Sequence, residues 1–106
     1  MRRGDIYWAD LGPPAGRRPV LIVSRTAAIP VLSGVVVAPI TRTIRSIASE
    51  VRLGTEEGLP QECVASCDNL ITVPKARLDD EPAGELGLET IIELDRALSF
   101  ALEISF

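Results

Sequence analysis

The sequence predicts an α+β fold, mainly β: a small antiparallel barrel with one C-terminal amphipathic helix, in a single domain spanning residues 1–106. Three observations predict it. Short β-branched apolar runs, parted by Gly- and Pro-rich turns, fill residues 4–74. The hydrophobic period then changes to a helical one from Leu88 to Leu102. A chain of 106 residues holds one core and has no room for a second.

The elements follow in order. GDIYWADL (4–11) has β-forming apolar residues between turn signals and reads as a first strand, and GPPAGRR (12–18) reads as a turn. RPVLIVS (18–24) is a continuous apolar run, hence a central buried strand. GVVVAPIT (34–41) is a second such strand, disturbed or at an edge at Pro39, which cannot donate to a ladder. ASEVRL (48–53) alternates, with Ser49, Val51 and Leu53 on one face and Ala48, Glu50 and Arg52 on the other. CVASCDN (63–69) and LITVP (70–74) are two short strands or one bent one. From residue 88, apolar positions 88, 91, 94, 98 and 101/102 make a stripe, filled by Ile92 and interrupted by Asp95. Glu89 and Glu93 lie in the early turns, where the helix dipole favours acids. The tail EISF (103–106) is expected as a last edge strand, for five or six antiparallel strands in all.

Composition narrows function. No apolar run approaches the ~20 residues of a membrane span. The opening MRRGDIYWADLG has no apolar signal-peptide core, so a cytoplasmic location is expected. Cys63 and Cys67 on one strand stand ~13 Å apart, beyond the ~7 Å a disulfide tolerates, and are expected as buried free thiols. No histidine is present, which excludes paired-imidazole nucleases, Ser-His-Asp hydrolysis and most zinc sites. No Gly-rich phosphate loop occurs. Net charge is −4, unevenly spread: residues 1–52 hold eight arginines against three acids, and residues 53–106 three basic residues against twelve acids. Ten of the eleven basic residues are arginine, the side chain suited to bidentate phosphate contact.

Three constellations carry possible chemistry. Arg17-Arg18-Pro19 opens a buried strand, where a proline holds the backbone still. Thr41-Arg42-Thr43 with Arg45 follows another buried strand, and strand ends feeding loops are where sites are commonly built. Asp68-Asn69 offers donors and acceptors for base edges. From spacing alone, the first reads as a solubilising pair before a site, the second also as a polar turn, and the third as a turn before a site.

The segments RRGDIYWADLGP, RRPVLIVSR, VVVAPIT, ASCDNLITVPKARL and GELGLETIIELDRALSFALEI, in this order and spacing, resemble the MazF/PemK (Kid-type) toxin endoribonucleases of type II toxin–antitoxin systems over essentially the whole chain. The resemblance implies an SH3-like barrel, a homodimer, metal-free cleavage of single-stranded RNA and neutralisation by a MazE-like antitoxin, with no cofactor. It places the family's catalytic arginine on Arg18 and its threonine on Thr41. Arg17, Arg25, Arg42, Thr43, Arg45, Asp68 and Asn69 are then expected to bind RNA. Three departures stand out: a short 12–17 loop, Ile71 where the family commonly has arginine, and Cys67-Asp68-Asn69 in place of a glutamate-glutamine pair. The competing expectation is a CcdB-like gyrase poison on the same fold. That toxin's tryptophan-containing tail has no counterpart in Glu103-Ile104-Ser105-Phe106.

Overall fold

A computed structural model describes residues 1–105. Seven strands and one helix follow one another: β1 (Asp5–Asp10), β2 (Arg17–Ile22), β3 (Gly34–Thr41), β4 (Glu50–Leu53), β5 (Cys63–Ser66), β6 (Ile71–Pro74), β7 (Gly84–Glu85) and α1 (Leu88–Ala101). The strands form an antiparallel sheet in the order β4-β5-β3-β2-β1-β7, with β6 paired to β3. The sheet curls into a half-barrel. Its far edge, β7, comes to rest on the Thr55–Glu57 turn that follows β4: a Cβ on Gly84 would fall on the Glu57 carbonyl.

β3 organises the sheet. Along one edge, Val37–Pro39 face β2. Along the other, Gly34–Val37 face β6, and Ile40 and Thr41 then face β5. Pro39 sits where this second edge changes partner, which is where a residue without an N–H costs no ladder bond. The disturbance expected at Pro39 is therefore a hand-over between strands.

The continuous apolar runs are buried on both sides, as such runs require. One cluster packs Ile6, Leu21, Ala38, Ile40, Val51, Ala65 and Cys67 under Leu94 and Ala97 of α1. The opposite faces of the same strands, with Tyr7, Val20, Ile22, Val35 and Val37, pack with Val73, Leu78 and Ile29. Ile29 comes from a 3₁₀ turn, Thr26–Val31, that covers this side. Cys63 and Cys67 are both buried free thiols. Cys67 lies in a 3₁₀ turn, Cys67–Asn69, so the 63–74 region is two strands divided by that turn.

Three expectations are corrected. The described residues hold seven strands rather than five or six, the two-residue β7 being too short to carry a period. Glu103–Ser105 are not a strand, and Phe106 lies outside the described residues. The helix continues instead into a turn in which the Ile104 N–H reaches the Ser99 carbonyl, and the edge beside β1 is taken by β7. The buried face of α1 is centred on Leu94 and Ala97, flanked by half-buried Ile91, Leu98 and Ala101. Leu88 and Ile92, read as part of the stripe, are exposed, at 86% and 52%. No helix among the described residues is long and apolar enough to cross a membrane.

Candidate functional site

The β1–β2 hairpin sets the first half of the site. Its ladder pairs Trp8 with Pro19, Ala9 with Arg18 and Asp10 with Arg17. The loop between the strands closes on itself through Leu11 N–H to Gly16 O at 2.9 Å and Gly16 N–H to Gly12 O at 2.8 Å. Gly12 and Gly16 both have positive φ, so glycine removes the strain there. This fold-back brings the Ala15 carbonyl to Arg18, whose Nε donates to it at 3.2 Å. The tether uses only Nε. Neither terminal nitrogen of Arg18 has a partner among the described residues, which leaves both to grip an anion in bidentate fashion. Arg18 is exposed while Val20, Leu21 and Ile22 behind it are buried, so a charged group stands on a rigid strand.

The β3 end supplies the second half. The β2–β3 register runs Ile22–Val37, Leu21–Ala38, Val20–Pro39. Continued two residues past the ladder's end, it carries Arg18 opposite Thr41. The Thr41 hydroxyl accepts from the Thr43 N–H at 3.2 Å, which leaves its own hydrogen free to donate. Beyond it, the Glu50 carboxylate accepts from the backbone N–H groups of Arg45 and Ser46, at 3.0 and 2.9 Å. These bonds hold Ser46 in a left-handed conformation (φ 56°) and fix the Arg42–Ile47 loop at the edge of the site.

Two clefts meet at these residues. One, of about 430 Å³, has Trp8, Arg17, Arg18, Thr41, Arg42, Thr43 and Gln61 among its walls. The other, of about 670 Å³, has Arg18, Thr41, Thr43, Arg45, Glu50, Asn69 and Ile71 among its own. Ala15, Arg18, Ile40, Thr41 and Thr43 belong to both, so the clefts are two halves of one groove with Arg18 and Thr41 in the shared wall. Among the described residues, the first half carries three guanidinium groups and no carboxylate. The second carries two guanidinium groups, and its one carboxylate, Glu50, is occupied with backbone donors.

Seven of the nine site residues expected from sequence thus line the groove. Arg25 and Asp68 line neither half. Arg25 precedes the Thr26–Val31 turn, and the Asp68 carboxylate accepts from the buried Ser49 hydroxyl at 2.5 Å. Asn69 does face the groove, its amide held by a 2.8 Å bond to the Ser66 hydroxyl. Arg17 lines the groove but is engaged: both terminal nitrogens meet the Asp79 carboxylate at 2.9 Å. That pairing raises the Arg17 pKa and lowers that of Asp79. Sequence reasoning missed Gln61 and Glu50, and did not place Trp8 in the site. Residues 59–61 precede β5 in a segment without period, and only the tertiary fold brings them to Arg18.

The chain matches, over residues 2–102, a family model described as PemK-like, MazF-like toxin of type II toxin-antitoxin system. Probable endoribonuclease MazF5 of Mycobacterium tuberculosis is 38% identical over 104 residues, 97% of this chain and 90% of that protein. Endoribonuclease MazF6 of the same organism is 35% identical over 113 residues, 98% of each chain. Among solved structures, the Mycobacterium tuberculosis toxin MazF-mt6 superposes with a TM-score of 0.88 at 37% identity, covering 96% of this chain and 99% of that one. An endoribonuclease in complex with its cognate antitoxin, from a mycobacterial species, superposes with a TM-score of 0.88 at 33% identity, covering 100% and 98%.

Proposed function

The chain belongs to the PemK-like, MazF-like toxin family of type II toxin–antitoxin systems, and we propose that it is a sequence-specific endoribonuclease that cuts single-stranded RNA without a metal ion. The observation that carries this reading is the shared wall of the groove, where the free nitrogens of Arg18 and the free hydroxyl hydrogen of Thr41 face one space.

The chemistry suits such a pair. The ribose 2′-hydroxyl attacks the adjacent phosphorus and gives up its proton to solvent, the bond to the 5′-oxygen breaks and that oxygen takes a proton from solvent, and a 2′,3′-cyclic phosphate and a 5′-hydroxyl remain. Negative charge gathers on the non-bridging oxygens during transfer. Arg18 meets that charge with two parallel N–H donors already in place, which is how fixed donors lower such a barrier. Thr41 donates to the same phosphate or orients the 2′-hydroxyl. Arginine is a poor base at neutral pH, so the role of Arg18 is electrostatic. Arg42, Thr43, Arg45 and Asn69 extend the groove to flanking nucleotides, whose splayed bases are read by hydrogen bonds and stacking.

The protein acts as a homodimer in the cytoplasm and is held inactive by an antitoxin. One structural relative is solved with its cognate antitoxin bound, and an acidic polypeptide suits an arginine groove on electrostatic grounds. The relatives are MazF-type endoribonucleases, and the gyrase-poison alternative finds no support among them.

The test is cleavage of single-stranded RNA by purified protein in EDTA, with the ends analysed. Cutting that persists in chelator and leaves 5′-hydroxyl ends is the expected result. Activity abolished by chelator and restored by a divalent cation removes the metal-free scheme. Inert protein that traps gyrase on DNA removes the nuclease reading.

A further inference from the structure

Trp8 is the single tryptophan of the chain and the one aromatic ring among the described residues that lines either half of the groove. Tyr7 is buried in the core, and Phe100 is exposed on the helix. Trp8 is half-buried and lines the same cleft as Arg18 and Thr41. Arg17 stands diagonally across the β1–β2 ladder from it, with its Cζ 5.8 Å from the centre of the ring. That is cation–π distance. The guanidinium is fixed there by two 2.9 Å bonds to Asp79. Asp79 is in turn anchored to the same strand, its N–H donating to the Trp8 carbonyl at 2.9 Å. Ring, guanidinium and carboxylate therefore form one closed unit on the groove wall.

We infer that Trp8 is the platform on which one RNA base stacks beside the scissile phosphate, and that Arg17 and Asp79 are positioning residues that brace the ring. This rests on the nuclease reading above and adds to it a stacking subsite and a changed role for Arg17. A phosphate-binding arginine needs an uncompensated charge, and Asp79 cancels that of Arg17. A brace needs rigidity, and a bidentate pair supplies it. Bases stack on aromatic rings whatever their identity, because each has a π-face. The unit thus holds a nucleotide in register for Arg18, while hydrogen-bonding groups elsewhere in the groove choose the sequence.

With one tryptophan, emission reports on this position alone. The probe is a single-stranded 2′-O-methyl RNA of randomised sequence, which cannot supply the attacking hydroxyl. It should change Trp8 emission, and inorganic polyphosphate, which has charge but no base, should not. For cleavable RNA, Trp8→Ala should raise KM about tenfold with a smaller effect on kcat, and Trp8→Phe should recover most of the loss. Arg17→Ala should weaken the emission change and leave the salt dependence of binding as in the wild type, because no phosphate contact is lost. Asp79→Asn should weaken the emission change too. Both residues are surface-exposed, so their variants test the brace even if Trp8→Ala fails to fold.

RNA that is cut normally while Trp8 emission stays constant and Trp8→Ala keeps the wild-type KM overturns the stacking platform and leaves the nuclease reading standing. A salt slope that falls by about 0.7 in Arg17→Ala shows a lost phosphate contact and overturns the brace. A wild type that neither cuts nor binds RNA overturns both this inference and the reading beneath it.

Discussion

At the scale of single residues, the site is built from side chains with one function committed and another left open. Arg18 gives Nε to the Ala15 carbonyl and keeps its two terminal nitrogens. Thr41 accepts from the Thr43 N–H and keeps its hydrogen. Each is thereby oriented at no cost to its chemistry. Removing one fixed donor to a developing oxyanion typically costs ~10²–10³ in rate. Arg18→Ala should lose that much cleavage in single-turnover kinetics, with a melting temperature near wild type because Arg18 is exposed. Arg18→Lys should recover little, since an ammonium cannot present two parallel donors. Full recovery with lysine would mean that charge alone suffices. Cys67 belongs to the core and gives a pH prediction. Burial, helped by the neighbouring Asp68 and opposed by Arg3, lifts its thiol from the ordinary 9.0 to about 11. Between those values the unfolded chain loses the proton while the folded chain keeps it, so the folded state binds more protons and stability falls as pH rises. That contribution is intact below pH 9 and is lost progressively toward pH 11. Tyr7, also raised by burial, acts in the same direction. Urea unfolding followed across this range should show a decline of at most about 1.4 kcal/mol per pH unit from the thiol, absent in Cys67→Ala. Native Cys67 should also resist thiol reagents at neutral pH.

At the scale of elements, close backbone approach matters as much as side-chain packing. Gly84 in β7 has no room for a Cβ, which would fall on the Glu57 carbonyl, and a Cβ on Gly58 would sit 2.5 Å from the Ala83 carbonyl. This glycine–glycine contact closes the curl between β7 and the turn after β4. Gly84→Ala should part them and destabilise by about 2 kcal/mol or more, read from urea denaturation. Gly87→Ser meets nothing within 4 Å at the helix N-cap and should be neutral or stabilising. Equal effects from the two would show that the close approach contributes nothing. The same elements mark what the sequence made legible. β1, β2 and β3 could be read because β-branched runs between turn residues repeat a local rule. β7 could not, because two residues carry no period, and its place depends on a contact with residues 57 and 58. The helix was found but rotated. Starting the stripe at Leu88 gave weight to large side chains, whereas small Ala97 is the residue that lets α1 approach the sheet beside Leu94. In the site, spacing alone left Arg18 and Thr41 in a solubilising pair and a polar turn; the family resemblance singled them out, and the fold puts both in the wall of one groove. Gln61, Glu50 and Trp8 were not legible, because their presence there is a product of the fold.

At the scale of the whole molecule, an acidic protein must bind a polyanion. The net charge of −4 repels RNA at long range. Attraction is therefore local: Arg18, Arg42 and Arg45 share one groove, whereas Glu89, Glu93 and Asp95 sit on α1. At physiological salt the screening length is ~8 Å, so the groove's field reaches a strand already close to it while the acids of the body are damped. Affinity should then follow counterion release from a small number of contacts. Three phosphates neutralised on a single strand give a slope of log K against log salt of about −2, and Arg17, compensated by Asp79, adds nothing to it. Anisotropy titrations of an uncleavable 2′-O-methyl RNA over a range of potassium chloride measure that slope directly. A value near −2 that falls by about 0.7 in each of Arg42→Ala and Arg45→Ala assigns the groove as the binding surface. A slope near zero, or one indifferent to both substitutions, would place the RNA elsewhere and leave Arg18 and Thr41 without a substrate to act on.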